Sequence, residues 1–190
     1  RLLSMMGVKY LLTSFEFQPP LKKVFEIKVI EANIPIYIYE NPEALPLVRF
    51  ASQVKFIKPN EEKAFAELLK VSDFKRTTLI ECLRPDCLYL THQSDPSDQL
   101  KILEYRNGYL KIKTHIKQGR WLVFSESNLP TWEVKLKISD KQQETSLPIY
   151  TANYLYQTVY LPPGDNEVVF EYPGIGRQLK YSSMDIFDKL

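Results

Sequence analysis

A chain of 190 residues is long enough for one domain, or two small units in close contact, with a real core. Its 44% apolar content excludes wholesale disorder, and a net charge of +2, with lysine and arginine scattered along the chain, provides no basic groove for nucleic acid. Six glycines against 13 prolines and 12 tyrosines point to pleated, half-buried strands punctuated by proline.

The chain opens on Arg1, with Gly7 and Lys9 interrupting a short apolar start. That is not the form of a signal peptide. It reads as a piece cut from a longer polypeptide, and no apolar run reaches the ~20 residues of a membrane helix. Leu2 to Met6 reads as the end of a helix closed by Gly7. Strands are expected at Val8–Thr13, at Val24–Ile30, at Ile34–Tyr39 and, once or twice, within Leu47–Ile57.

Pro59-Asn60-Glu61-Glu62 is a helix start. Asn60 caps free N–H groups, the acids sit in the first turn, and Ala64, Phe65, Leu68 and Leu69 fall on one face up to about Val71. Thr77–Cys82 returns to strand, and the polar stretch Thr91–Gln99 marks a boundary between halves.

The second half is built of short strands. Ile102–Tyr105 and Tyr109–Ile116 flank Asn107-Gly108, a pair suited to the positive φ angles of a type I′ hairpin turn. Trp121–Ser125 follows, then an alternating run in which Trp132, Val134, Leu136 and Ile138 share one face. Tyr154–Leu161 and Val168–Tyr172 close the set across Pro162-Pro163-Gly164-Asp165-Asn166. The fold class expected is mainly β, α+β overall. An antiparallel sandwich in the C-terminal half packs with a smaller α/β N-terminal half carrying one helix near 60–71. The division is 1–98, 99–173 and a polar tail at 174–190.

Few residues carry recognisable chemistry. Cys82 and Cys87, spaced C-x4-C around a turn-forming Arg84-Pro85-Asp86, are either a disulfide or two free thiols. Two cysteines with no nearby histidine do not make a zinc site. His92 lies in the polar break and His115 on the wet face of a strand, neither with a signalled partner. Asp95, Asp98 and Glu126 read as solvated loop acids, and Gly174-Ile175-Gly176 lacks the rest of a phosphate loop. No cofactor or metal is expected. The aromatics are richer. Tyr154, Tyr156 and Tyr160 are expected on one face of a single strand, where they form either a platform for sugar rings or part of the core. Trp132 belongs to the core by its alternation.

The runs LVFSESNLPTWEVKL and IYTANYLYQTVYLPPGDNEVVFEY, with Ser125, Pro130-Thr131-Trp132, Ala152-Asn153, Pro162-Pro163-Gly164 and Tyr172-Pro173, resemble the C-terminal extracytoplasmic domain of YfhO-type bacterial membrane proteins, which are classed with the GT-C glycosyltransferases. Gly7-Val8-Lys9-Tyr10 and Tyr39-Glu40-Asn41-Pro42 with Ala44-Leu45-Pro46 fit the same pattern upstream. Thr131 stands where the family has glycine, and a polar tail stands where it continues into a membrane helix. The resemblance implies a non-catalytic domain on the outer face of the membrane, attached to a membrane part of the parent chain. Such a domain would bind or position a cell-surface glycan or cell-wall polymer, and the aromatic pattern makes Tyr154, Tyr156 and Tyr160 the candidates to do so. Two other readings stay open: a structural or protein-interaction module with no ligand, and a secreted polysaccharide hydrolase, which needs two carboxylates facing across a cleft.

Overall fold

The computed structural model describes residues 1–29, 34–82, 95–138 and 144–173. The protein is mainly β, with antiparallel sheets packed as a sandwich and, among the described residues, two helices. In chain order the elements are α1 (Leu2–Met5), β1 (Tyr10–Thr13), β2 (Lys22–Val29), β3 (Ile34–Glu40), β4 (Val48–Phe50), β5 (Gln53–Ile57), α2 (Glu61–Lys70), β6 (Thr77–Glu81), β7 (Gln99–Arg106), β8 (Tyr109–Ile116), β9 (Arg120–Ser127), β10 (Glu133–Ile138), β11 (Glu144–Ser146), β12 (Tyr150–Ala152), β13 (Tyr156–Leu161) and β14 (Gly164–Glu171).

Three sheets form: β1-β3-β2, β11-β10-β14-β8-β7 and β4-β9-β13-β12-β6-β5. The six-stranded sheet is the central layer. One of its faces, through Leu122, Phe124, Val159 and Leu161, packs on Leu110, Ile112, Val134, Val168 and Phe170 of the five-stranded sheet. The other face, through Trp121, Val123 and Tyr156, packs on Met5 of α1 and Leu68 of α2. Burial on both faces explains the sequence of the central strands. β9 and β13 are buried in unbroken runs over 120–124 and 156–159, polar Gln157 and Thr158 included, whereas β8, β10 and β14 alternate because their outer face is wet. The same sheet joins β4, β5 and β6 to β9, β12 and β13, so hydrogen bonding runs across the expected boundary at residue 98. The expected tail at 174–190 lies outside the described residues.

β5 and β6 pair in parallel, and α2 is the crossover between them. The Asn60 side chain accepts from the Lys63 N–H at 3.0 Å, which caps the helix as its sequence requires. The buried stripe of α2 is narrower than expected. Ala64 and Leu68 are buried, but Phe65 and Leu69 are 46% and 42% exposed because the helix lies on the sheet along one ridge.

Three local expectations are corrected. At the Asn107-Gly108 hairpin only Gly108 is left-handed (φ +71°), so the turn is not type I′, which needs positive φ at both residues. The last strand begins at Gly164 (φ +108°), so the turn is confined to the prolines before it. Tyr154–Leu161 is not one strand. Asn153 and Tyr154 take left-handed φ angles of 48° and 73°, which ends β12 and restarts the chain as β13 two residues later.

Candidate functional site

The left-handed pair separates the three tyrosines. Tyr156, on β13, is buried in the core on the helix side. Burial pushes its hydroxyl pKa up, against the pull of the Arg49 guanidinium. Arg49 is itself pushed down to about 10 by burial and donates Nη1–H to Ser125 Oγ at 2.8 Å. Tyr160 is half-buried, its ring 5.4 Å from Trp121 in an edge-on arrangement. Tyr150 and Phe56 approach the same indole at 5.3 and 5.8 Å. The Tyr160 hydroxyl end lies against Gly119, where any Cβ would overlap it, so glycine is the residue that fits. Tyr156 and Tyr160 are therefore packing residues.

Tyr154 is placed differently. Asn153 fixes it: its backbone N–H donates to the Leu79 carbonyl and its Oδ1 accepts from the Leu79 N–H, both at 2.9 Å. The side chain thus mimics a strand partner for β6 while the backbone turns away, a role that asparagine fills because its short amide tolerates the left-handed region. Tyr154 then lies half-buried at the edge of the helix-side core, where Phe65 of α2 meets its ring at 5.5 Å. The Tyr154 ring borders an open cleft of about 440 Å³ lined also by Pro59, Asn60, Glu81 and Thr151. Glu81 and Thr151 are register partners across β6 and β12. Partial burial raises the Glu81 carboxyl pKa above its ordinary value. The cleft sits where the parallel strands β5 and β6 end and α2 begins.

Its parts suit a polyhydroxylated ligand: an aromatic face, one carboxylate, an amide and a hydroxyl. The lining carries one carboxylate among the described residues, so it does not present the facing pair that glycoside hydrolysis needs. Phe65 and Glu81 were not singled out by sequence. Phe65 was assigned to the inner stripe of α2, and Glu81 becomes a neighbour of Tyr154 only through the β6–β12 pairing.

The other sequence candidates fall elsewhere. His115 Nδ1 lies 2.8 Å from Asp165 Oδ1 on the neighbouring strand, and both side chains are more than half exposed. They edge a wider cleft of about 880 Å³ with Lys101 and Lys113, where Thr114 is present but its hydroxyl is buried away from the opening. Asp98 is not a solvated acid: it is 4% exposed and ion-paired to the equally buried Arg120. Asp95 is held near pKa 2 by hydrogen bonds from Ser97, and Glu126 accepts from the Ser127 N–H. Trp132 lies in the core between Phe124 and Tyr172. Cys82 is disulfide-bonded. Cys87, His92 and Gly174-Ile175-Gly176 lie outside the described residues. Among the described residues no helix is long and apolar enough to cross a membrane, and no group of three metal-ligating side chains forms. No family model, curated protein or solved structure matches the chain.

Proposed function

We propose that this chain is a non-catalytic, glycan-holding domain on the extracytoplasmic face of a membrane glycosyltransferase-like protein, and that the Tyr154 cleft is where the glycan rests. The observation that carries the reading is the left-handed tyrosine. A non-glycine residue with φ of 73° costs on the order of 1–3 kcal/mol and persists where the surroundings impose it. In this fold the consequence of that strain is to set one aromatic ring at the rim of the core, where it is half-buried and lines a cleft with a carboxylate, an amide and a hydroxyl. The resemblance to the YfhO-type domain supports the location and the parent class. The disulfide at Cys82 suits an oxidising compartment.

The test is titration of the purified chain with cell-wall-derived oligosaccharides, read by tryptophan fluorescence and calorimetry. Saturable binding that Tyr154→Ala and Glu81→Gln each weaken roughly tenfold, an ordinary loss for one stacking or charged contact, is the expected result. Tyr156→Phe, which changes a buried ring, leaves it unchanged. Absence of carbohydrate affinity, or affinity indifferent to Tyr154→Ala, overturns the proposal. A second reading, an interaction module with no small ligand, is favoured by the burial of Tyr156 and the packing of Tyr160 on Trp121. It predicts the indifferent outcome.

A further inference from the structure

The β1-β3-β2 sheet has its faces reversed. Register pairs Leu12 with Ile38 and Ile38 with Phe25, then Ile36 with Ile27. Because side chains alternate along a strand, Ile34, Ile36 and Ile38 share a face with Leu12, Phe25 and Ile27. The opposite face carries Tyr37 and Tyr39, with Lys23 and Glu26 beside them. An isolated three-stranded sheet is expected to cover its aliphatic face. Here the tyrosine face is covered: Tyr37 and Tyr39 are 7% and 3% exposed, and the Phe17 N–H donates to the Tyr39 hydroxyl at 3.0 Å. The aliphatic face is bare: Leu12 is 68% exposed, Phe25 and Ile27 51%, and Ile34 47%. None of the three strands packs broadly on an element of the other sheets. The sheet is tied to the body where Asn41 bonds the carbonyl of Val8 and Ser4.

We infer that this face is a self-association surface, closed by the same face of a second copy of the chain related by a two-fold axis. Size, charge and shape select that occupant. At on the order of 150–200 Å² for a large apolar side chain, the uncovered face with Tyr10 and Val24 at its margin amounts to roughly 600 Å². Two copies would bury about 1,200 Å², the lower end of specific interfaces. The charges around the sheet cancel closely: Lys9, Lys22, Lys23 and Lys28 are set against Glu16, Glu26 and Glu40, and Lys23 is already engaged by Glu26 and Glu16. Such a rim neither draws the sheet to an anionic bilayer nor selects a charged partner. An aliphatic sheet face is complementary to another of its kind, stacked ~10 Å away as in a sandwich. An isologous contact of this sort closes at two copies. The surface is separate from the Tyr154 cleft, so the inference stands apart from the glycan reading.

The experiment is sedimentation equilibrium of the whole 190-residue chain over a wide concentration range, with Phe25→Glu and Leu12→Ser in parallel. Both positions are half-exposed or more, so circular dichroism and the melting temperature should match the parent chain when measured dilute. The expected result is a concentration-dependent dimer that each variant weakens roughly tenfold or more. A chain that stays monomeric at its highest soluble concentration overturns the inference. So does a dimer that both variants leave unchanged, since its contact lies elsewhere. Co-sedimentation of monomeric chain with phosphatidylcholine–phosphatidylglycerol vesicles, lost in Phe25→Glu, also overturns it and assigns the face to a bilayer.

Discussion

Asn153 bears more on this molecule than its size suggests. It is fully buried, sits at a left-handed φ, and bonds both backbone groups of Leu79. Asn153→Ala leaves the Leu79 N–H buried without an acceptor and puts a less tolerant residue in the left-handed region. A loss of about 2–4 kcal/mol is expected in urea denaturation. Asn153→Asp, which retains the acceptor oxygen, should lose less, and the ordering of the two variants is the check. This position was legible in principle, since asparagine is enriched among left-handed residues. Period-two spacing of Tyr154, Tyr156 and Tyr160 masked it, because an alternation count registers spacing and not the turn at 153–155 that precedes β13. Trp132 shows the opposite case. Its alternation with Val134 and Leu136 reports burial directly, and the indole does lie in the core against Phe124.

At the scale of elements, the local chemistry of α2 was readable and its ion pair to the sheet was not. The Asn60 cap is written within four residues of sequence, whereas the ion pair between helix and sheet joins residues 12 apart on two elements. Glu67 receives Lys55 of β5 at 2.7 Å and Lys70 of its own last turn at 2.6 Å. Hydrogen bonds from Lys55 and then Lys70 bring its carboxyl down to about 2 from the usual 4.5. A carboxylate whose pKa is depressed on folding contributes stability above its unfolded pKa, and that contribution is lost as pH falls towards the folded value. The melting temperature of the parent chain should therefore exceed that of Glu67→Gln at pH 6 to 7. The gap should narrow between about pH 4.5 and pH 2, and shrink in high salt because the cluster is partly exposed. Calorimetric melts of both chains across that range check it, and a gap that is constant with pH contradicts it.

At the scale of the molecule, composition and alternation were enough for a mainly β sandwich, because the wet-faced strands β8, β10 and β14 each state which face is buried. The strand order was not readable. β9 pairs with β4 and β13, and β14 lies between β8 and β10, through contacts that no local pattern encodes. The Arg120–Asp98 pair belongs to this same non-local level. Arg120 opens β9 in the central sheet and Asp98 immediately precedes β7 in the outer one, with side chains 3% and 4% exposed. The guanidinium also donates Nη2–H to the Ala51 carbonyl at 3.0 Å and lies over the Phe50 ring, while Asp98 accepts from the Lys117 N–H at 3.3 Å. One ion pair thus joins the two packed sheets at the edge where the outer sheet begins. Removing one partner of a buried pair strands the other charge and costs about 3–5 kcal/mol. Replacing both with apolar groups avoids that penalty. Asp98→Ala should accordingly lower the urea midpoint steeply, and the double variant Asp98→Leu/Arg120→Met should recover a large part of the loss. The fluorescence of Trp121, next in sequence to Arg120, reports the transition. If the double variant is as unstable as the single, the pair's hydrogen bonds to Ala51 and Lys117 hold the sheet junction, and its opposed charges do not.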